Sequence, residues 1–254
     1  LLNYLGAQHE VLLAHAQHER ATMDAYLAPK KEHIPMSDMP LNPHFRVRET
    51  AEEKIFELLQ SEMLRGWHCT RLTGHEVEFI RSNGMQLPNP EILQERIRRL
   101  QADGILTNEI AIRLIKENQA SETYRQGMIW FCFFEPWRGE QSGIERFFRR
   151  WGGEALYNSH ESDPVTGSIL QTIGNPCLIE ADVPVSSFGR YTFLGRKVIG
   201  RWLMSHGFDT HDDLDYEDKA RAAIPAANIL RFVHYGELEF ESLTHCDEWE
   251  PPLA

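Results

Sequence analysis

The chain has 254 residues, 42% hydrophobic and 25% charged, with thirteen Phe, seven Tyr and six Trp. That is enough apolar material for one large domain, or one domain with an appended piece, and it excludes long disordered stretches. A net charge of −12 argues against a broad basic face for nucleic acid.

The local basic groups, Arg96, Arg98, Arg99 and Arg146, Arg149, Arg150, read as solvated helix faces. Cys69, Cys132, Cys177 and Cys246 form no Cys-x-x-Cys pair and read as buried free thiols in a reducing compartment. No apolar run approaches the ~18 residues that span a bilayer. The first residues lack the pattern of a signal peptide, so a cytoplasmic protein without a membrane partner is expected.

In chain order, residues 2–27 read as a helix with Leu5, Val11, Leu12, Ala16 and Met23 near one side. Residues 29–43 carry four prolines and read as a linker or surface loop, so 1–49 is expected to be an N-terminal appendage and 50–254 the main domain. Thr50 and Glu53 match a capping box for a helix through Ile55 and Leu59, with Gly66 as its stop. Residues 67–72 read as a strand.

Thr73 and Glu76 form a second capping box, for a helix closed by Gly84. Pro90 starts a further helix ending near Gly104, and Thr107 caps another. Residues 128–134, uninterruptedly apolar, read as a strand covered on both faces. Ser142 and Glu145 match a third capping box, for a helix stopped by Gly152 and Gly153. Residues 154–159, 177–183 and 228–235 read as strands, 194–206 as a helix, and 209–218 as a solvated acidic loop or helix face.

The segment Trp67-His68-Cys69-Thr70-Arg71-Leu72 carries most of the chemical signal. Alternation along a strand sends His68 and Thr70 to one face, a small polar platform suited to holding a ligand. A core histidine satisfied by its neighbours is the other reading. His15 and His18 share a helix face, while His206, Asp209, His211, Asp212 and Asp213 include a His-Asp dipeptide of the type used by metal-dependent phosphohydrolases. Both groups read as solvated faces, and no metal site is expected. The chain has no phosphate-binding Gly-x-x-x-x-Gly-Lys loop, no Gly-x-Gly-x-x-Gly and no Gly-x-Ser-x-Gly elbow.

His68-x-Thr70-Arg71 followed by a short helix ending in Asn83-Gly84-Met85 resembles the opening of the ADP-ribosyltransferase-like superfamily, in its bacterial toxin and phage-defence branch. Gly127-Met128-Ile129-Trp130-Phe131 is similar to the second strand of such folds. The resemblance implies an α+β fold of split antiparallel β-sheets with flanking helices, here with an N-terminal helical extension. It implies a mono-ADP-ribosyltransferase that takes NAD as substrate and modifies a macromolecular acceptor, nucleic acid or protein, as a toxin or anti-phage effector. An inhibitory antitoxin-like protein is a possible partner.

The family chemistry gives His68 the ribose, the backbone at Cys69 the nicotinamide amide, and Thr70 and Arg71 neighbouring contacts. A glutamate must then stabilise the oxocarbenium-like transition state. Glu154, after two glycines and followed by Tyr157 as stacking ring and Ser159 as hydroxyl, is the first candidate; Glu180, Glu237 and Glu239 are the alternatives. A protein that kept the fold but only binds partners is the competing expectation. Its docking elements would be the N-terminal helix, the Pro-rich segment or the tail at residues 249–252.

Overall fold

The computed structural model describes residues 1–28, 41–139, 141–189, 192–211 and 213–253. The protein is mixed α/β. In chain order its elements are α1 (Leu2–Leu27), α2 (Phe45–Leu58), β1 (Met63–Leu72), α3 (Gly74–Asn83), α4 (Pro90–Ala102), α5 (Asn108–Lys116), β2 (Ile129–Cys132), α6 (Gln141–Arg149), α7 (Glu154–His160), α8 (Thr166–Thr172), β3 (Asn175–Pro184), α9 (Leu194–Ser205), β4 (Glu217–Ala220), β5 (Ile229–His234) and α10 (Leu238–Thr244). The chain divides into two compact units, one of Leu1–Glu62 with Arg190–Tyr216, the other of Met63–Gly189 with Glu217–Ala254.

In the first unit, Leu5 and Leu12 of α1 meet Ala51 and Ile55 of α2 and Ile199 and Leu203 of α9 in a common core. The 49/50 boundary expected from the sequence falls inside α2, and the expected appendage shares its core with a helix from far along the chain. Of the expected linker, residues 29–40 lie outside the described residues. The Thr50–Glu53 capping box is not formed. The helix already begins at Phe45, steadied by an Arg48–Glu52 ion pair of 2.6 Å, and the Thr50 hydroxyl donates to the Arg46 carbonyl in mid-helix.

The second unit is built on one antiparallel five-stranded sheet of order β4-β2-β1-β3-β5. Its longest ladder joins β1 to β3 in unbroken register from Met63↔Pro184 to Leu72↔Asn175. β1 is therefore longer than the six residues read from sequence, and Gly66 lies within it instead of ending a helix. Gly66 fits there because a Cβ would stand 2.8 Å from the Phe133 ring.

One core cluster of this unit joins Cys69, Leu178 and Val233 of the sheet to Phe148, Phe240 and Trp249. A second, of helical residues, gathers Leu93, Ile97, Leu114, Leu156 and Leu170 around Trp151. In the tail offered above as a docking element, Trp249 is buried and stacks on Phe148 at 6.1 Å, while residues 250–252 are exposed.

Local signals specify several helix ends. Thr73 and Glu76 form a complete capping box for α3, and Gly84 closes that helix at φ 78°. Asn89 accepts from the Ile92 N–H ahead of Pro90, and Thr107 from the Ile110 N–H. Ser142 instead lies inside α6. β2 spans four residues, and its Trp130 is open to solvent, so the apolar run is not covered on both faces.

Residues 154–159 are helix, not strand: Leu156, Tyr157 and His160 fall on one buried helical face, with Gly153 turning the chain at φ 63° just before. The acidic stretch read over 209–218 is irregular at 209–211 and 213–216, and only its last two residues, Glu217 and Asp218, enter β4, which pairs with β2 from Ile129↔Ala220 to Cys132↔Glu217. All four cysteines are free thiols. No helix among the described residues is long and apolar enough to cross a membrane.

Candidate functional site

The two edges of β1 are unlike. Toward β2 the register holds a single pair, Trp67↔Cys132. Beyond it the His68 imidazole reaches the backbone of β2, with Nδ1 2.9 Å from the Trp130 carbonyl. A carbonyl only accepts, so Nδ1 carries the proton and Nε2 presents a lone pair. Nε2 has no partner among the described residues. Burial lowers the His68 pKa below its usual 6.5; the bond to Trp130 works the other way, and the Arg96 charge adds to the lowering. The ring is neutral at pH 7, an acceptor held in a fixed tautomer.

A cleft of about 1020 Å³ opens here, lined by His68, Cys69 and Thr70 of β1, by Glu76 of α3, by Arg96 of α4 and by Glu154 of α7. Phe79, Tyr124 and Trp130 also line it, each with a substantial part of its ring in solvent. Arg71 turns away. It is 5% exposed, and its Nε and Nη1 donate to the carbonyls of Ile173 at 2.8 Å and Phe148 at 3.0 Å. The arginine of the motif therefore ties β1 to the ends of α6 and α8 in place of contacting the cleft.

Of the four candidate carboxylates, Glu154 alone lines the cleft. Gly152 at φ 92° and Gly153 at φ 63° make the turn that places it in the first turn of α7. Its carboxylate is ion-paired with Arg125, whose Nε donates to Gln119 at 2.9 Å. Tyr157 is buried beneath, edge-on to Phe147 at 5.7 Å and under the Arg146 guanidinium at 4.4 Å. Burial and the Glu154 charge push its ionisation upward, so it stays a neutral phenol. It offers no free face for stacking, and Ser159 is exposed outside the cleft lining.

Glu180 lies on β3, with Arg231 Nε at 2.5 Å and Arg65 at 3.9 Å. Glu239 pairs with the same Arg231 at 2.6 Å, and Glu237 accepts from the His234 N–H at 3.2 Å ahead of α10. These three serve ion pairs and a turn. The Arg146 and Arg149 side chains, read as part of solvated helix faces, meet Glu161 at 2.7 Å and Glu145 at 2.5 Å.

Glu76 and Arg96 are cleft residues to which the sequence assigned no site role. Glu76 accepts from the backbone N–H of Thr73 at 2.8 Å, from Trp151 Nε1 at 3.0 Å and from Arg96 Nε at 2.5 Å. Burial on its own would raise the Glu76 pKa. The Arg96 charge and these donors outweigh it and hold the carboxyl below its ordinary range.

Comparison with known proteins gave no matching family model, no matching curated protein and no matching solved structure.

The histidines hold local partners. His9 Nδ1 accepts from Trp202 Nε1 at 3.2 Å, His15 faces Glu19 at 3.5 Å and His211 faces Asp209 at 3.0 Å. Asp212 lies outside the described residues. Among the described residues no group of three His, Cys, Asp or Glu side chains could hold a metal ion. What the cleft offers is a neutral hydrogen-bond acceptor, a carboxylate, two oriented guanidinium groups and partly exposed aromatic faces, a set suited to a polar organic ligand with ring systems.

Proposed function

We propose that the cleft of the second unit binds NAD and transfers its ADP-ribose to a macromolecular acceptor, protein or nucleic acid, with an inhibitory protein as the natural restraint on such an activity. One observation carries this reading: His68, Thr70 and Glu154, 86 positions apart between first and last, line one cleft, which opens where β1 and β2 part. Among the described residues the strands form one five-stranded sheet, so the reading rests on the cleft lining and not on the split sheets that the ADP-ribosyltransferase-like resemblance implies. The cleft volume of about 1020 Å³ is at the upper end of small-molecule sites, as a dinucleotide requires.

In this reading the free Nε2 of His68 accepts a hydrogen bond from a ribose hydroxyl, and the backbone at Cys69 holds the nicotinamide amide. The bond from the ribose anomeric carbon to the nicotinamide nitrogen breaks, and the electron pair leaves with neutral nicotinamide. Glu154 faces the positive charge that develops on the ribose, and the acceptor's nucleophile forms the new bond while giving up its proton.

The test is nicotinamide release from NAD by the full chain, with and without lysate, RNA or DNA. Glu154→Gln is expected to lower the rate by about 10²- to 10³-fold, the scale of losing one placed electrostatic group. His68→Ala is expected to weaken NAD binding. Release that survives Glu154→Gln would remove Glu154 from its role.

A second reading has its own support. The Glu154 carboxylate is already taken by Arg125. A cleft in which that pair never opens would bind its ligand without chemistry, as a binding or scaffold protein does. NAD binding without nicotinamide release under any condition is the outcome that selects it.

A further inference from the structure

Three arginines line the cleft, and they are held differently. Arg99 is tied by Asp103 at 3.2 Å on the exposed side of α4, and Arg125 is engaged by both Gln119 and Glu154. Arg96 is fixed on two sides at once. Its Nε donates to Glu76 at 2.5 Å, and its guanidinium lies over the Trp151 ring at 4.6 Å. Trp151 is itself fully buried and donates Nε1 to that same Glu76 carboxylate.

Glu76 in turn is locked at the start of α3 by the Thr73 capping box, so the plane of the Arg96 guanidinium is set by the fold before any ligand arrives. Its terminal nitrogens, Nη1 and Nη2, make no hydrogen bond among the described residues, and the side chain keeps 30% of its surface open. Four N–H donors in a planar fork, already ordered and facing a large cleft, match the oxygens of a phosphate bidentately. Because Glu76 balances the charge, recognition here depends on the direction of those donors more than on net attraction.

We propose that Arg96 is the phosphate-recognising residue of the cleft and that it binds the diphosphate of a nucleotide. The identity of that nucleotide as NAD rests on the function proposed above; the diphosphate site does not. His68 Nε2 and the Arg96 fork then hold two chemically different parts of one ligand, a sugar hydroxyl and a phosphate. A purely structural Arg96, pinning α4 to α3 through Glu76, would leave phosphate recognition untouched when altered.

The experiment is calorimetric titration of the full chain with ADP, adenosine and inorganic pyrophosphate, on the wild type, Arg96→Lys, the double variant Glu76→Gln/Arg96→Gln and Arg99→Gln. Arg96→Lys keeps a charge beside Glu76, and the double variant leaves no buried charge unpaired, so each retains the fold by a different route. ADP affinity is expected to fall about 10- to 100-fold in both Arg96 variants, the scale of a lost charge-assisted hydrogen bond. Adenosine affinity should stay level, and Arg99→Gln should bind ADP as the wild type does.

Equal ADP binding by wild type and both Arg96 variants would overturn the proposal and leave the transferase reading standing. An equal loss in Arg99→Gln would overturn it too, because bulk charge would then account for the effect. Failure of the wild type to bind ADP or pyrophosphate overturns it outright. ADP binding that depends on Arg96, in a protein that releases no nicotinamide, upholds the diphosphate site and removes the transferase reading alone.

Discussion

β1 separates two regimes. On the β3 side it is zipped through ten register pairs, and on the β2 side it is held by one. The first edge spends its polar groups on the ladder. The second frees a side chain, His68, to complete a backbone carbonyl and leaves a cleft beside it. One strand thus serves as anchor and as binding wall, and substitutions on its two sides should fail in different ways.

The largest effect belongs to the zipped side. Leu178, paired with Cys69 and fully buried, should lose about 2–5 kcal/mol of stability on Leu178→Ala, read from denaturant unfolding, with ligand affinity of the folded protein unchanged. A loss well under 1 kcal/mol would mean that this ladder is not the anchor.

On the open side, pH is the sharper probe. The folded pKa of His68 is lowered beneath 6.5, so the unfolded chain takes up the proton more readily. The contribution of His68 to stability is whole above pH 6.5. It is lost as pH falls through 6.5 toward the folded pKa. The thermal midpoint should therefore drop more between pH 7.5 and 5 in the wild type than in His68→Ala. Parallel curves would deny the neutral, fixed tautomer.

The smallest effect is expected at Glu180, on β3 but away from the cleft. Glu180→Gln breaks an ion pair to Arg231, whose side chain is 44% exposed, so solvent screening limits the loss to about 1 kcal/mol or less. Nicotinamide release should be unaltered. A strong loss of release would move the essential carboxylate to the zipped side and erase the contrast.

How far these features were legible depends on the distance over which each is decided. The Thr73–Glu76 box, the Pro90 start and the Thr107 cap are settled within four residues, and they are present as the pattern predicts. Thr50–Glu53 shows the same pattern without the structure, because residues ahead of it extend the helix. Residues 154–159 are too short a segment to show their period, and Leu156, Tyr157 and His160 settle on one helical face.

β4 is polar, and its strand state comes from pairing with the edge of β2 and a bridge from Ala220 to Phe188. Within the site, the platform of His68 and Thr70 was visible as a strand pattern. The tautomer of His68 was not, because it depends on a carbonyl 62 positions away. Glu76 was legible as a cap, yet its partners Arg96 and Trp151 stand 20 and 75 positions off, and only folding makes them one group. Arg71 looked like part of the site and serves the interior.

The helical unit has a consequence for how the protein can be cut. Its core is shared by α1, α2 and α9, so a chain shortened to begin at residue 50 would keep Ala51, Ile55, Ile199 and Leu203 and lose the Leu5 and Leu12 that cover them. The bared apolar strip would then look for cover elsewhere, and self-association is the outcome that surface chemistry favours. Solubility, more than activity, is where the loss of α1 would first be felt.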